Sequence, residues 1–126
     1  MSSCRTAIAA TALSLACVST AWADGDAAKG EAYAKGRCGV CHTFERGAGN
    51  KIGPNLFGVF GRRAGSVADY TYSGAMKNSG IVWTAEKLKV YLHNPRATVP
   101  GTKMTFAGIV RDEDTENTIA WLATLK

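Results

Sequence analysis

Two thiols three residues apart, followed at once by an imidazole, stand in the run Cys38-Gly39-Val40-Cys41-His42. Residues i and i+3 share one face of a helical turn, so both sulfurs reach the same edge of a flat ligand. That spacing suits thioether bonds from Cys38 and Cys41 to the two vinyl groups on a haem edge, and it is the attachment pattern of a haem c. His42 then falls under the iron as a proximal nitrogen ligand. Two other uses of these residues fit less well. A thioredoxin-like dithiol sits in a βαβ pattern that this chain lacks, and a zinc site asks for more ligands than these three and His93 comfortably supply.

The other axial position decides the chemistry. Iron with one protein ligand suits a haem peroxidase or a gas-binding haem protein, whereas two strong ligands make mainly an electron carrier. The candidates are Met76, Met104 and His93. Met104 ends the turn-forming stretch Pro100-Gly101-Thr102-Lys103-Met104, which can present a thioether inward while its neighbours cover the cofactor. Met76 sits in a short polar segment, and His93 stands at a helix end before Pro95. Side-chain chemistry favours Met104 and leaves all three open.

Few elements are available to position these groups. Arg5, the apolar stretch 6–20 and the small-x-small site Ala21-Trp22-Ala23 read as a secretory signal peptide over residues 1–23, cleaved before Asp24. A competing signal is lipid attachment at Cys17, after Leu15-Ala16, which would make an anchored subunit of a redox complex. Cleavage leaves one domain, residues 24–126, with Cys38 and Cys41 as its two cysteines and therefore no disulfide framework. So small a domain is short of apolar area, and a covalently held macrocycle would centre its core.

Asp24-Gly25-Asp26 offers caps for a helix from Ala27 to about Arg37, which delivers the chain into the cysteine motif. Residues 43–83 hold eight of the 14 glycines with little periodicity, apart from a short helical segment over Ser73 to Asn78. So long a loop is foreign to a compact domain unless it wraps a rigid disc. Thr84 caps a further helix with Leu88, Tyr91 and Leu92 on one face, ended by Asn94-Pro95. The last helix starts near Asp112, with Glu113 and Asp114 suited to its N-terminus and Ile119, Trp121 and Leu122 as its bulky apolar residues. No β alternation of useful length appears, so the chain reads as all-α with long loops.

The 15 Lys and Arg outnumber the 10 Asp and Glu, a net charge of +5, or +4 once Arg5 leaves with the leader. Dense basic runs interleaved with aromatics are missing, which argues against nucleic acid. An acidic protein partner suits the charge better.

The chain resembles the mitochondrial-type class I cytochromes c, above all their bacterial periplasmic relatives, the cytochrome c₂ group. The matching residues are Cys38 to His42, Gly53-Pro54-Asn55-Leu56, Gly58-Val59-Phe60-Gly61-Arg62, Tyr72-Ser73 and Gly80-Ile81-Val82-Trp83. They continue through Tyr91-Leu92, Asn94-Pro95, Pro100 to Met104 and Phe106-Ala107-Gly108-Ile109. The resemblance implies a small fold in which the first and last helices cross and loops wrap one covalent haem c. It makes Met104 the sulfur ligand and gives Pro54 the far ring nitrogen of His42. It assigns Arg62, Tyr72 and Trp83 to a buried propionate, Tyr91 and Thr102 to the polar network beside the methionine, and Phe106 to shielding on that side.

It also implies a monomeric periplasmic electron carrier, with no stable membrane insertion. Its transient partners would be acidic-faced redox proteins: a cytochrome bc complex, a terminal oxidase, a photosynthetic reaction centre or another reductase. Departures from the family pattern are visible. Met76 stands where asparagine is frequent, Tyr33 comes one residue early, and Gly36 loosens the end of the first helix. The basic ring, expected at Arg37, Lys51, Arg96, Lys103 and Arg111, is thinned by Ala97 and Val110.

Overall fold

The computed structural model describes residues 25–126. The leader expected over 1–23, with Cys4 and Cys17, lies outside the described residues. Among the described residues five helices follow in chain order: α1 (Ala27–Arg37), α2 (Gly74–Lys77), α3 (Ala85–His93), α4 (Pro95–Thr98) and α5 (Asp112–Leu122). Between them run loops, and an isolated antiparallel bridge joins Arg63 to Val82.

The caps explain the boundaries. The Asp26 carboxylate accepts from the Ala28 and Lys29 amides at the start of α1, Ser73 from Met76 in α2, and Thr84 from Lys87 in α3. α5 has no side-chain cap, but Asp112, Glu113 and Asp114 fill its first turn, where negative charge opposes the positive end of the helix dipole. The Asn94-Pro95 pair does end α3, and it also starts α4: Asn94 caps the Ala97 amide and Pro95 takes a first-turn position.

α1 packs chiefly on α5. At the crossing a side chain on Gly30 would run into the Asn117 backbone, so glycine lets the helices approach. The Asp26 amide donates to Asn117 Oδ1 at 2.6 Å, fastening the start of α1 to the middle of α5. Below the crossing Phe44 meets Trp121 edge to face, centroids 4.9 Å apart. The Gly58 amide donates to Leu125 O at 2.8 Å and brings the long loop back to the chain terminus. On the far side Ile109 donates to Leu92 O at 2.8 Å, anchoring the stretch after Met104 against α3. The core runs from Ala34 and Leu122 through Val59, Trp83, Leu88 and Tyr91 to Ile109.

Candidate cofactor site

A cavity of about 390 Å³ opens between the end of α1, the long loop, α3 and the 100–106 loop. Its walls are largely apolar, with Leu56, Val59, Leu88, Leu92 and Leu122 among them. Cys38, Cys41, His42, Pro54, Arg62, Tyr72, Trp83, Tyr91, Thr102, Met104 and Phe106, the site residues expected from the sequence, all line this one space. Met76 joins them, buried, whereas His93 is exposed at the end of α3 and lines a different surface depression.

Helical bonding continues past α1: the Cys38 amide donates to Ala34 O at 2.7 Å and the His42 amide to Cys38 O at 2.9 Å. This carries both thiols and the imidazole around one further turn toward the cavity. Both cysteines are free and partly buried. Burial, then the neighbouring Cys41, pushes the Cys38 thiol up to about 11.

His42 Nδ1 lies 2.7 Å from the Pro54 carbonyl. A carbonyl only accepts, so Nδ1 carries the proton and the Nε2 lone pair is free to bind a metal. Burial lowers the histidine's pKa, the Pro54 bond partly restores it, and the Lys51 charge lowers it again. The resulting neutral imidazole is the form a metal needs. Gly53 makes the approach possible, because a Cβ there would strike the ring.

On the methionine side, the Tyr91 hydroxyl lies 3.5 Å from Met104 Sδ and 3.4 Å from Thr102 Oγ1. Thr102 Oγ1 also accepts from the Met104 amide at 3.3 Å. With Thr102 donating to Tyr91, the tyrosine proton is directed at the sulfur. Burial raises the Tyr91 pKa, so the hydroxyl remains a donor.

Arg62 brings a half-buried cation to the site. Its Nη1 and Nη2 donate to Phe57 O at 3.0 Å and Asn55 O at 3.2 Å, while Nε is buried with no partner. Burial lowers its pKa, with a small opposing effect from Tyr72. The Tyr72 hydroxyl accepts from the Val67 amide at 3.2 Å and keeps its own proton to donate. An unpartnered guanidinium N–H beside a free phenol asks for a carboxylate, which a haem propionate supplies. Two thiols, a neutral imidazole, a thioether, an apolar wall and this cation together fit a covalently attached haem.

Sequence reasoning overlooked three contributors. Asn55 braces the loop beneath Arg62: Nδ2 donates to Glu45 O and Ala48 O, and Oδ1 accepts from the Phe57 amide. Its place in the turn Gly53-Pro54-Asn55 was the available signal. Tyr70 stands at the cavity mouth, and Thr118 turns a buried, unpartnered hydroxyl toward its wall.

A family model described as Cytochrome c matches residues 27–126. The chain belongs to the cytochrome c family. It is 52% identical over 99 residues to cytochrome c of Theileria annulata, covering 79% of this chain and 85% of that protein. Cytochrome c2 of Agrobacterium tumefaciens (strain II Chrys) is 49% identical over 102 residues, covering 79% and 91%. Among solved structures, cytochrome cH from Methylobacterium extorquens superposes with a TM-score of 0.74 at 46% identity, covering 79% of this chain and 99% of that one. As a cytochrome c the protein is an electron carrier that binds one covalent haem c with iron, and its fold is the mostly helical class I type.

Proposed function

We propose that this cytochrome c is a freely diffusing periplasmic carrier of single electrons whose iron is held by His42 and Met104, with Cys38 and Cys41 as the thioether anchors. An imidazole whose Nδ1 proton is committed to Pro54 and a thioether met by Tyr91 line one apolar cavity beside two thiols, and that conjunction carries the reading. When bound, the haem supplies a one-electron couple, iron passing between its ferric and ferrous states. Pro54 fixes the tautomer and orientation of His42. Tyr91 and Thr102 hold the Met104 sulfur in place through either state. Leu56, Val59, Leu88 and Leu92 exclude water, which disfavours the extra positive charge of the oxidised state and raises the potential. Arg62, Tyr72 and Trp83 receive a propionate. Phe106 covers the methionine side.

Electrons would pass at the cavity mouth, where Arg37, Lys51 and Lys103 offer positive charge to the acidic faces of transient partners. A cytochrome bc complex, a terminal oxidase, a reaction centre or another reductase would present such a face. Export by the residue 1–23 leader, with cleavage after Ala23, puts the carrier in the periplasm; similarity to the Agrobacterium cytochrome c2 supports this. Among the described residues no helix is long and apolar enough to cross a membrane.

Optical spectra of the oxidised holoprotein test the ligation. A weak near-red sulfur-to-iron band is expected in the wild type and lost in Met104→Ala, whereas a high-spin ferric spectrum in the wild type overturns the reading. Intact mass of the exported protein tests processing: a chain starting at Asp24 plus one haem is expected, and added acyl mass would instead show lipid on Cys17.

A further inference from the structure

Three segments meet at the cavity mouth, and Tyr70 reaches from one to the other two. Its hydroxyl donates to Ile52 O across 2.7 Å, tying its own loop to the segment that leads from His42 to Pro54. Its ring lies beneath the Lys103 ammonium, 4.5 Å from nitrogen to centroid. Lys103, the residue before Met104, also donates to the Thr71 carbonyl, one position beyond Tyr70. Tyr72 props the ring from the side, centroids 4.8 Å apart with planes at 76°. Asn50 Nδ2 adds a bond to Asp69 O at 3.2 Å, which steadies the loop that carries the tyrosine.

We infer that Tyr70 is a latch for this site, a positioning residue that acts through Lys103 to hold the 100–106 loop closed and so keeps the Met104 thioether in place against competing ligands. The inference rests on the Met104 ligation proposed above. A lysine on a surface loop, held by one carbonyl, would be a weak tie, because a long mobile side chain loses entropy on fixing and water competes for its protons. Here the ammonium is held at two points, an acceptor oxygen and the negative face of an aromatic ring, and the ring is itself anchored through its hydroxyl. The methionine loop therefore swings away only if the ammonium leaves both at once. Tyr91 and Thr102 hold the sulfur from inside the cavity, and the Tyr70–Lys103 pair holds the same loop from outside.

The test is imidazole binding to the ferric holoprotein at neutral pH, followed by loss of the near-red band, with thermal unfolding measured in parallel. Tyr70→Leu removes ring and hydroxyl and should raise imidazole affinity about tenfold, equal to about 1.4 kcal/mol of loop closure. Tyr70→Phe keeps the ring and should give a smaller rise, about threefold. Lys103→Gln should behave like Tyr70→Leu, and Lys103→Arg, which still stacks on the ring, should stay near wild type. Ser66→Ala is the control for general loosening: its hydroxyl bonds Arg63 O at 2.6 Å within the same loop, and its loss should leave imidazole affinity unchanged. Wild-type affinity in both Tyr70→Leu and Lys103→Gln, with the near-red band present, overturns the latch and leaves the ligation standing. A wild type without the band overturns the ligation and the latch with it. Should Tyr70→Leu fail to fold, Tyr70→Phe and Lys103→Gln carry the same decision.

Discussion

Thr118 is 1% exposed and its Oγ1 has no hydrogen-bond partner, an arrangement that wastes a polar group on an apolar cavity wall. Replacing it by the similarly shaped valine removes the desolvation penalty and should stabilise the holoprotein by about 1 kcal/mol, a rise in melting temperature of about 4–8 °C. A fall on thermal denaturation would mean that the hydroxyl donates to the bound cofactor. Met76 works in the opposite sense. It presents a buried thioether to the cavity, so Met76→Asn should admit polarity and stabilise the ferric state. Voltammetry should then show a potential lower by on the order of 30–60 mV, up to about a tenfold shift in the one-electron equilibrium; an unchanged potential would show that the pocket stays dry. Of the groups that line the cavity, Cys38, Cys41 and His42 were readable from their spacing, and Met104 was singled out from Met76 and His93 only through the resemblance. Thr118 was not. A threonine within Asp112-Glu113-Asp114-Thr115-Glu116-Asn117-Thr118 looks like surface until its helix is packed.

Packing of α1 on α5 turns on one missing methyl group. Ala in place of Gly30 would favour the helix by about 1 kcal/mol on propensity alone, yet its Cβ would meet the Asn117 carbonyl, a backbone atom with no rotamer to escape into. Overpacking of this kind costs about 3 kcal/mol, so Gly30→Ala should be net destabilising by about 2 kcal/mol. Gly36, in the same helix, has nothing within 4 Å of its added Cβ. Gly36→Ala should therefore stabilise by about 0.5–1 kcal/mol, and chemical denaturation of the pair separates propensity from contact. Stabilisation by both would mean that the crossing relaxes freely. Helix ends were legible beforehand because capping is local chemistry: Asp26, Ser73 and Thr84 each begin a helix at the position their side chains dictate. α4 was equally legible in Asn94-Pro95, whose N-cap and first-turn signals were outweighed by reading proline as a stop. That the first and last helices cross was anticipated through the resemblance. Periodicity carries no such information, since an apolar stripe does not name its partner helix, and the weak stripe of α1 hardly announces a buried face.

Charge is distributed over the whole molecule in a way that separates a paired face from an unpaired one. On the α1/α5 side, Lys29 approaches Glu113, Lys35 approaches Glu31, Lys89 approaches Glu116, and Arg111 reaches both Glu113 and Asp114. Arg111 was expected in the basic ring, but its charge is largely spent on these carboxylates and it does not line the cavity mouth. Arg37 and Lys103 do line the mouth, beside the exposed Val40 and Ile52, and Lys51 stands next to it, its ammonium donating to Gly39 O at 2.6 Å. The field seen by a docking partner is thus set by about three cations around an apolar centre, and contacts between exposed charges weaken over a Debye length of about 8 Å at physiological ionic strength. Electron transfer from hexacyanoferrate(II), a small anion that samples the charge near the exposed edge, should slow with added salt, but with a shallower slope than in a relative carrying lysines at the places of Ala97 and Val110. Arg37→Gln should flatten that slope further, because it removes a cation at the mouth. Arg111→Gln should change it less, because Arg111 lies off the cavity mouth and salt screens its field there. Stopped-flow rates over a range of ionic strengths read both effects, and an equal response of the two variants would show that net charge, rather than its arrangement around the mouth, governs encounter.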